Sequence, residues 1–356
     1  MNPSLNKKLS FFLVIQLILL KVLAYFPEFI TKYYSNGISP YISSFERFLF
    51  GKIPFSFGDT LYIFIIIFLS YQLYKNFKQK TVFRLNTLFN FTAYLSIILF
   101  IFQLFWGLNY LRTPLYKTLA LDKKDVTKTE LISFTNSLIQ QINTLQNTIT
   151  HNDTIPVKIP YSFDTVFNKS TNGYQAIKPL FSGINTTAIS IKKSMLSLPQ
   201  IYLGFTGYLN PFTGEAQVNY LIPKLNLPAT TCHEMAHQMG YASETEANFI
   251  GYMASTHNSD LYFQYSGYFM ALRYALNEIH YKYPDDFEGI YKSINKGIIK
   301  NQEGIIAYYK KYQSPFAAHS RDLYGFYLKV NNQEKGINSY KYMVYLLVKY
   351  DKNLRL

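Results

Sequence analysis

The chain has 356 residues, with 35 Lys and Arg against 21 Asp and Glu and a formal net charge of +14. That length holds a membrane anchor and one domain of ordinary size. The positive balance comes with no helix-turn-helix, zinc-finger or RNA-binding signature, so nucleic acid is set aside as a partner, and the single cysteine, Cys232, rules out an intrachain disulfide.

Three apolar segments open the chain, at residues 10–26, 56–74 and 88–111. Each is near the ~20 residues that cross a ~30 Å hydrocarbon core, and the expectation is three transmembrane helices. Lys21 lies near one end of the first segment, where its ammonium can snorkel to the headgroups. A cleaved signal peptide is the alternative for that segment. It is disfavoured by an apolar run longer than a signal core and by the lack of a small-x-small site before Pro27.

Lys7 and Lys8 precede the first segment, and Lys75, Lys78, Lys80 and Arg84 crowd the loop between the second and third. The positive-inside rule then places the N-terminus and that loop in the cytoplasm, and everything after residue 111 on the other side of the membrane. Arg112 and Lys117 run against the rule. Residues 1–111 are therefore read as the anchor and 112–356 as an extracytoplasmic domain.

Beyond the anchor, Leu131, Phe134, Leu138, Ile142 and Leu145 repeat at helical spacing. Residues 147–187, rich in Asn, Thr, Ser and Pro, read as loops with short strands. Residues 201–221 contain two β-favouring runs around a turn at 210–214, and several helical patterns follow from Thr230 onward. The apolar run at 342–348 is too short to span a bilayer and reads as core.

The chemistry concentrates at residues 230–249. His233-Glu234-Met235-Ala236-His237 is an HExxH pattern, and on a helix residues four apart share a face, so both imidazoles can reach one Zn²⁺. Glu234 stands where a carboxylate can take a proton from the attacking water and return it to a leaving amine. Pro228 before the motif and Gly240 after it are start and stop signals for that helix. Two surface histidines on an ordinary helix are the bland alternative.

Catalytic zinc usually has three protein ligands. Ser243 occupies the place where a metzincin pattern needs histidine, which leaves Glu244 and Glu246. Glu246 is the expected third ligand, because on a helix capped by Ser243 it shares a face with Phe249, Ile250 and Met253. A capping box between Ser243 and Glu246 is the competing account, and Glu244 is the other candidate. His257 and Cys232 read as structural. His319 and Tyr265 are oxyanion-stabilising candidates with no further support, and residues 216–220 are a candidate strand for β-addition of a peptide substrate.

The succession of Trp106-Gly107-Leu108-Asn109-Tyr110, Pro211-Phe212-Thr213-Gly214-Glu215-Ala216, the 233–249 stretch and Tyr265-Ser266-Gly267-Tyr268 resembles one bacterial membrane family. That family is catalogued only as a domain of unknown function with N-terminal spans and an HExxH domain. The resemblance implies a membrane location and a zinc site and supplies no substrate. His233, Glu234, His237 and a downstream glutamate also resemble gluzincin peptidases.

The expected fold is three transmembrane helices followed by a mainly helical α+β zincin-like domain with a small sheet. The expected activity is zinc-dependent hydrolysis of peptide or related amide bonds in envelope substrates, with the lipid bilayer as the other partner. A non-catalytic zinc-binding envelope protein is the alternative. An intramembrane protease is disfavoured because residues 225–250 carry too many polar groups, and a transporter because the spans hold no paired charges.

Overall fold

The computed structural model describes residues 3–80, 84–122, 124–181, 183–187, 189–331, 333 and 340–355. The chain begins with α1 (Pro3–Leu23), a short α2 (Pro27–Phe29), a π-helical stretch Ile30–Ile38 and α3 (Ser39–Phe50). Two long helices follow, α4 (Phe57–Lys78) and α5 (Leu85–Phe105). These two are long and apolar enough to cross a membrane. The first expected span is α1, which passes the same test only together with residues 27–50, and the two pieces meet at a 98° bend. Two spans, or three with a broken first one, is therefore what the structure supports. The stretch after Pro27, read from sequence as a loop, is helical and folds back along the domain.

α1 and α5 pack along their length, held by Gln16 Nε2 donating to Ser96 Oγ at 2.8 Å and by Ser10 Oγ against Thr92 Oγ1 at 2.6 Å. α4 begins with Ser56 capping it through the Asp59 N–H at 2.9 Å and stands apart from that pair. The N-terminal helices and the rest of the chain share buried polar contacts. Glu215 accepts the Gly58 N–H at 2.6 Å, and Asp59 accepts the Met195 N–H at 2.7 Å, the Ser194 hydroxyl at 3.0 Å and the Tyr208 hydroxyl. A carboxylate at the start of a helix meets its unpaired N–H groups and positive dipole end, so the sheet region caps α4.

After α6 (Leu115–Thr118), α7 (Lys128–Thr150) buries the expected Leu131, Phe134, Leu138, Ile142 and Leu145, and opens with a Thr127–Glu130 capping box. The region read as loops contains α8 (Phe163–Ile177). Ser162 caps it, and Val166, Phe167, Ser170, Tyr174 and Ile177 face inward, a stripe masked in the sequence by the Asn and Thr residues on the opposite face.

Three-residue strands form the only sheet among the described residues: β1 (Ile191–Lys193), β2 (Gly207–Leu209) and β3 (Ala216–Val218), in the order β1-β3-β2. β3 is central, parallel to β1 with Ile191 opposite Ala216, and antiparallel to β2 with Gly207 opposite Val218. α9 (Ser197–Leu203) links β1 to β2.

The remaining helices are α10 (Leu227–Gln238), α11 (Glu244–Thr256), α12 (Leu261–Lys282), α13 (Pro284–Lys292), α14 (Lys296–Lys310), α15 (Pro315–Val330) and α16 (Tyr340–Arg355). α10 and α11 lie at the centre of the largest apolar core, with α8, α12, α7 and α16 around them. Gly251 permits the close crossing of α10 and α11, since a Cβ there would stand 2.9 Å from the backbone of His233. Gly173 does the same for α8, where a Cβ would overlap the Ala254 carbonyl.

Candidate metal centre

α10 starts with Pro228 in its first turn, a position whose missing N–H costs nothing, and carries both histidines on its last turns. Gly240, at φ +84°, then turns the chain in a left-handed conformation suited to glycine, and α11 follows with Ser243 in the cap position. This tight reversal brings the start of α11 back over the end of α10.

Ligand-type atoms of His233, Glu234 and His237 lie within 4.8 Å of one another. Glu244 joins them: its Oε2 is 3.3 Å from His233 Nε2 and its Oε1 is 3.5 Å from His237 Nε2. His237 Nδ1 is 2.8 Å from the Tyr241 carbonyl, which fixes an N–H on Nδ1 and turns Nε2 toward Glu244. Trp106 donates its indole N–H to the His237 carbonyl at 3.2 Å, and the Tyr324 hydroxyl donates to Glu244 Oε1. Glu234 Oε2 and His233 Nδ1 are buried and have no hydrogen-bond partner among the described residues.

Electrostatics follow from this crowding. Burial raises the Glu234 carboxyl to about 7 against the pull of the two histidines. Burial opposes charge on His237, but the adjacent Glu244 carboxylate outweighs it and lifts the imidazole to about 9. Burial likewise opposes charge on Glu244, and the two imidazoles overcome it, holding its carboxyl well below the usual range.

The sequence expectation for Glu246 does not match this geometry. Its carboxylate accepts the Leu115 N–H at 2.6 Å and faces Arg112, away from the histidines. Two residues along a helix is about 200° of rotation, so only one of Glu244 and Glu246 can face α10. Both are inward, but toward different interiors. Glu246 finds its partners in residues 112–115, which sequence spacing cannot reveal. The capping-box alternative also fails, because Ser243 makes no side-chain cap.

Other candidates lie elsewhere. The Tyr265 hydroxyl donates to Asn301 at 2.8 Å in the core. His257 ends α11 with Nδ1 at 2.9 Å from the Met253 carbonyl, and His319 is exposed beside the Pro315 carbonyl at 3.2 Å. Cys232 is fully buried, its carbonyl accepting the Tyr174 hydroxyl. β3, the expected peptide cradle, is paired on both sides. The sheet edge next to the site is β2 instead, where Gly207 comes so near that a Cβ would stand 2.5 Å from Glu234 Oε1.

Trp106, Tyr324 and Gly207 were not recognisable in the sequence as site residues. Trp106, the sole tryptophan, entered only as part of a family motif with no role attached, and Tyr324 is one of 33 tyrosines. All line, with His233, Glu234, His237 and Glu244, a cavity of about 1940 Å³.

The fold and site together define a largely helical protein with apolar N-terminal helices and a two-histidine, two-carboxylate cluster. The chain belongs to the family described as "Protein of unknown function (DUF3810)", whose model matches residues 34–348. This agrees with the resemblance read from the motifs as far as family membership goes, and the family description carries no activity. No curated protein and no solved structure matches the chain.

Proposed function

We propose that this protein is a membrane-anchored zinc hydrolase of peptide or related amide bonds, with His233, His237 and Glu244 as metal ligands and Glu234 as general base. The observation that carries the reading is the convergence of both imidazole Nε2 atoms on one carboxylate, at 3.3 and 3.5 Å, beside a buried Glu234 oxygen with no partner. Two neutral imidazole nitrogens and one carboxylate are a donor set suited to Zn²⁺, with a position left open for chemistry.

Bound zinc would polarise the substrate carbonyl and acidify the attacking water. Glu234 accepts the proton of that water as its oxygen bonds to the carbonyl carbon. It then gives the proton to the amide nitrogen as the C–N bond breaks, leaving a carboxylic acid and an amine. Tyr324 holds Glu244 in place, and the Tyr241 carbonyl holds His237 in its ligating tautomer. The free edge of β2 supports an extended peptide across the cavity by β-addition. The apolar helices α4 and α5, with α1 as a broken third, anchor the chain in the bacterial inner membrane. The lysines of the α4–α5 connection favour an extracytoplasmic site.

The test is metal analysis of purified full-length protein together with a peptide-library digest. About one zinc per chain is expected, lost in His233→Ala and His237→Ala. Glu234→Gln should keep zinc and lose about 10²–10⁴-fold in hydrolysis. A parent that binds zinc yet cleaves nothing that Glu234→Gln spares would favour the non-catalytic envelope protein.

A further inference from the structure

The cavity that contains the metal cluster does not stop at the domain. Toward the N-terminal helices it is lined mostly by apolar side chains, Leu17 and Leu20 of α1 and Leu95, Ile98, Leu99 and Phe102 of α5, with Lys21, Gln103 and the α4 residue Tyr62 as the polar exceptions. These residues sit on helices whose outer faces are apolar and exposed, and α4 stands away from the α1–α5 pair. Trp106, at the end of α5, touches His237. From there to Leu95 is eleven residues, about 16 Å of helix at ~1.5 Å per residue. An apolar arm therefore runs from the metal cluster down between the spans, to about half the depth of a ~30 Å hydrocarbon core.

The domain side of the same cavity has the opposite character. Arg273, Asn277 and Glu278 of α12 and Arg321 of α15 line it; Glu278 is paired with Lys282 at 2.7 Å, and neither arginine makes an ion pair among the described residues. An apolar arm, an amide-hydrolysing centre and a cationic wall in one cavity fit an amphiphile.

We propose that the substrate is a lipid-tethered peptide, whose hydrocarbon chain enters sideways from the bilayer between α4 and the α1–α5 pair while its peptide part crosses the metal cluster toward Arg273 and Arg321. This rests on the hydrolase reading above and names the substrate class of that site. A transmembrane peptide is the competing occupant, and the experiment below separates the two. A single acyl chain is slimmer than a helix and matches an arm bounded by Leu, Ile and Phe side chains.

The experiment uses full-length Glu234→Gln protein in phosphatidylcholine nanodiscs. The probe is a short peptide carrying an N-terminal hexadecanoyl chain with a terminal diazirine. Irradiation followed by peptide mapping should give adducts at 95–102 and 17–20, suppressed by excess unlabelled acyl-peptide. The same peptide without the acyl chain should compete at least roughly tenfold more weakly. Leu99→Trp and Leu17→Trp fill the arm from its two walls. Each should abolish the saturable adducts while the purified protein keeps the parent melting temperature.

Adducts spread without saturation over the outward residues Phe64, Ile67 and Phe91 would overturn the proposal. So would equal competition by acylated and unacylated peptides. Stronger competition by a peptide ending in a hydrophobic helix would transfer the arm to a transmembrane substrate. Zinc content measured on the same samples separates this outcome from failure of the hydrolase reading. Arm labelling without zinc would leave the lipid-binding arm standing, and zinc without arm labelling would leave the hydrolase standing.

Discussion

Glu244 and His233 face each other across a helix break, with Oε2 and Nε2 3.3 Å apart, while Glu246 on the next half-turn faces Arg112. This arrangement makes the two carboxylates experimentally separable. Glu244→Ala is expected to lose most zinc affinity. Glu246→Ala is expected to keep zinc but to lose about 1–3 kcal/mol of stability, because the buried Leu115 N–H loses its acceptor and Arg112 its neighbouring carboxylate. Metal analysis and thermal melts of the two variants check both halves, and the opposite ranking for zinc would return the ligand role to Glu246.

What the sequence showed of this site was the part set by local spacing. Two histidines four apart on a helix between Pro228 and Gly240 needed no tertiary information, and neither did Ser243 as the cap position of α11. Choosing between Glu244 and Glu246 required knowing what packs on each side of α11, and those partners come from α10 on one side and residues 112–115 on the other. α8 was missed for a related reason. Its inward stripe is short, and polar Asn and Thr residues dilute its composition. The helices after Pro27, between the first two apolar segments, were not anticipated: their Glu46 and Arg47 are charged residues that become buried only in the fold.

Gly251→Ala is expected to act on the site from behind. A methyl group there meets the backbone of His233 at 2.9 Å, and backbone atoms cannot rotate away. The α10–α11 crossing must widen, at a cost of about 1–3 kcal/mol, and the separation of His233 from Glu244 should grow. A lower melting temperature together with weaker zinc retention on dialysis is the expected pair of results. Gly289→Ala, with open space around it, is the control.

Acid stability should depend on Glu130. Lys352 and Lys349 and the Thr127 backbone hold its carboxyl down to about 2 in the folded chain. A depressed carboxyl contributes stability that is present above the unfolded value, near 4.5, and is lost as pH falls through about 2. Glu130→Gln should therefore be less stable than the parent at pH 7, by roughly 1–2 kcal/mol with solvent screening included. The difference should shrink steadily between pH 4.5 and pH 2. Melting curves of both proteins across that window give the comparison, and a gap that widens on acidification would contradict this assignment.

The last prediction concerns whether the spans are a tether or part of the site. Asp59, in the first turn of α4, is fully buried and accepts from Met195 N, Ser194 Oγ and the Tyr208 hydroxyl. Tyr208 belongs to β2, directly after Gly207, whose backbone lies against Glu234. Asp59→Ala removes one acceptor that satisfies three donors, and each buried donor left unpaired costs about 1–3 kcal/mol. β2 should then shift, taking the free edge and the packing behind Glu234 with it. The expected result is a lower melting temperature in detergent and impaired hydrolysis, although Asp59 touches none of the proposed ligands. Asp59→Asn keeps one acceptor oxygen and should fall between Asp59→Ala and the parent. Thr60→Ala, one residue further along α4 at a more exposed position, should leave both quantities unchanged. If Asp59→Ala melts and hydrolyses like the parent, the spans serve only as a tether, and a domain freed of them should retain the site.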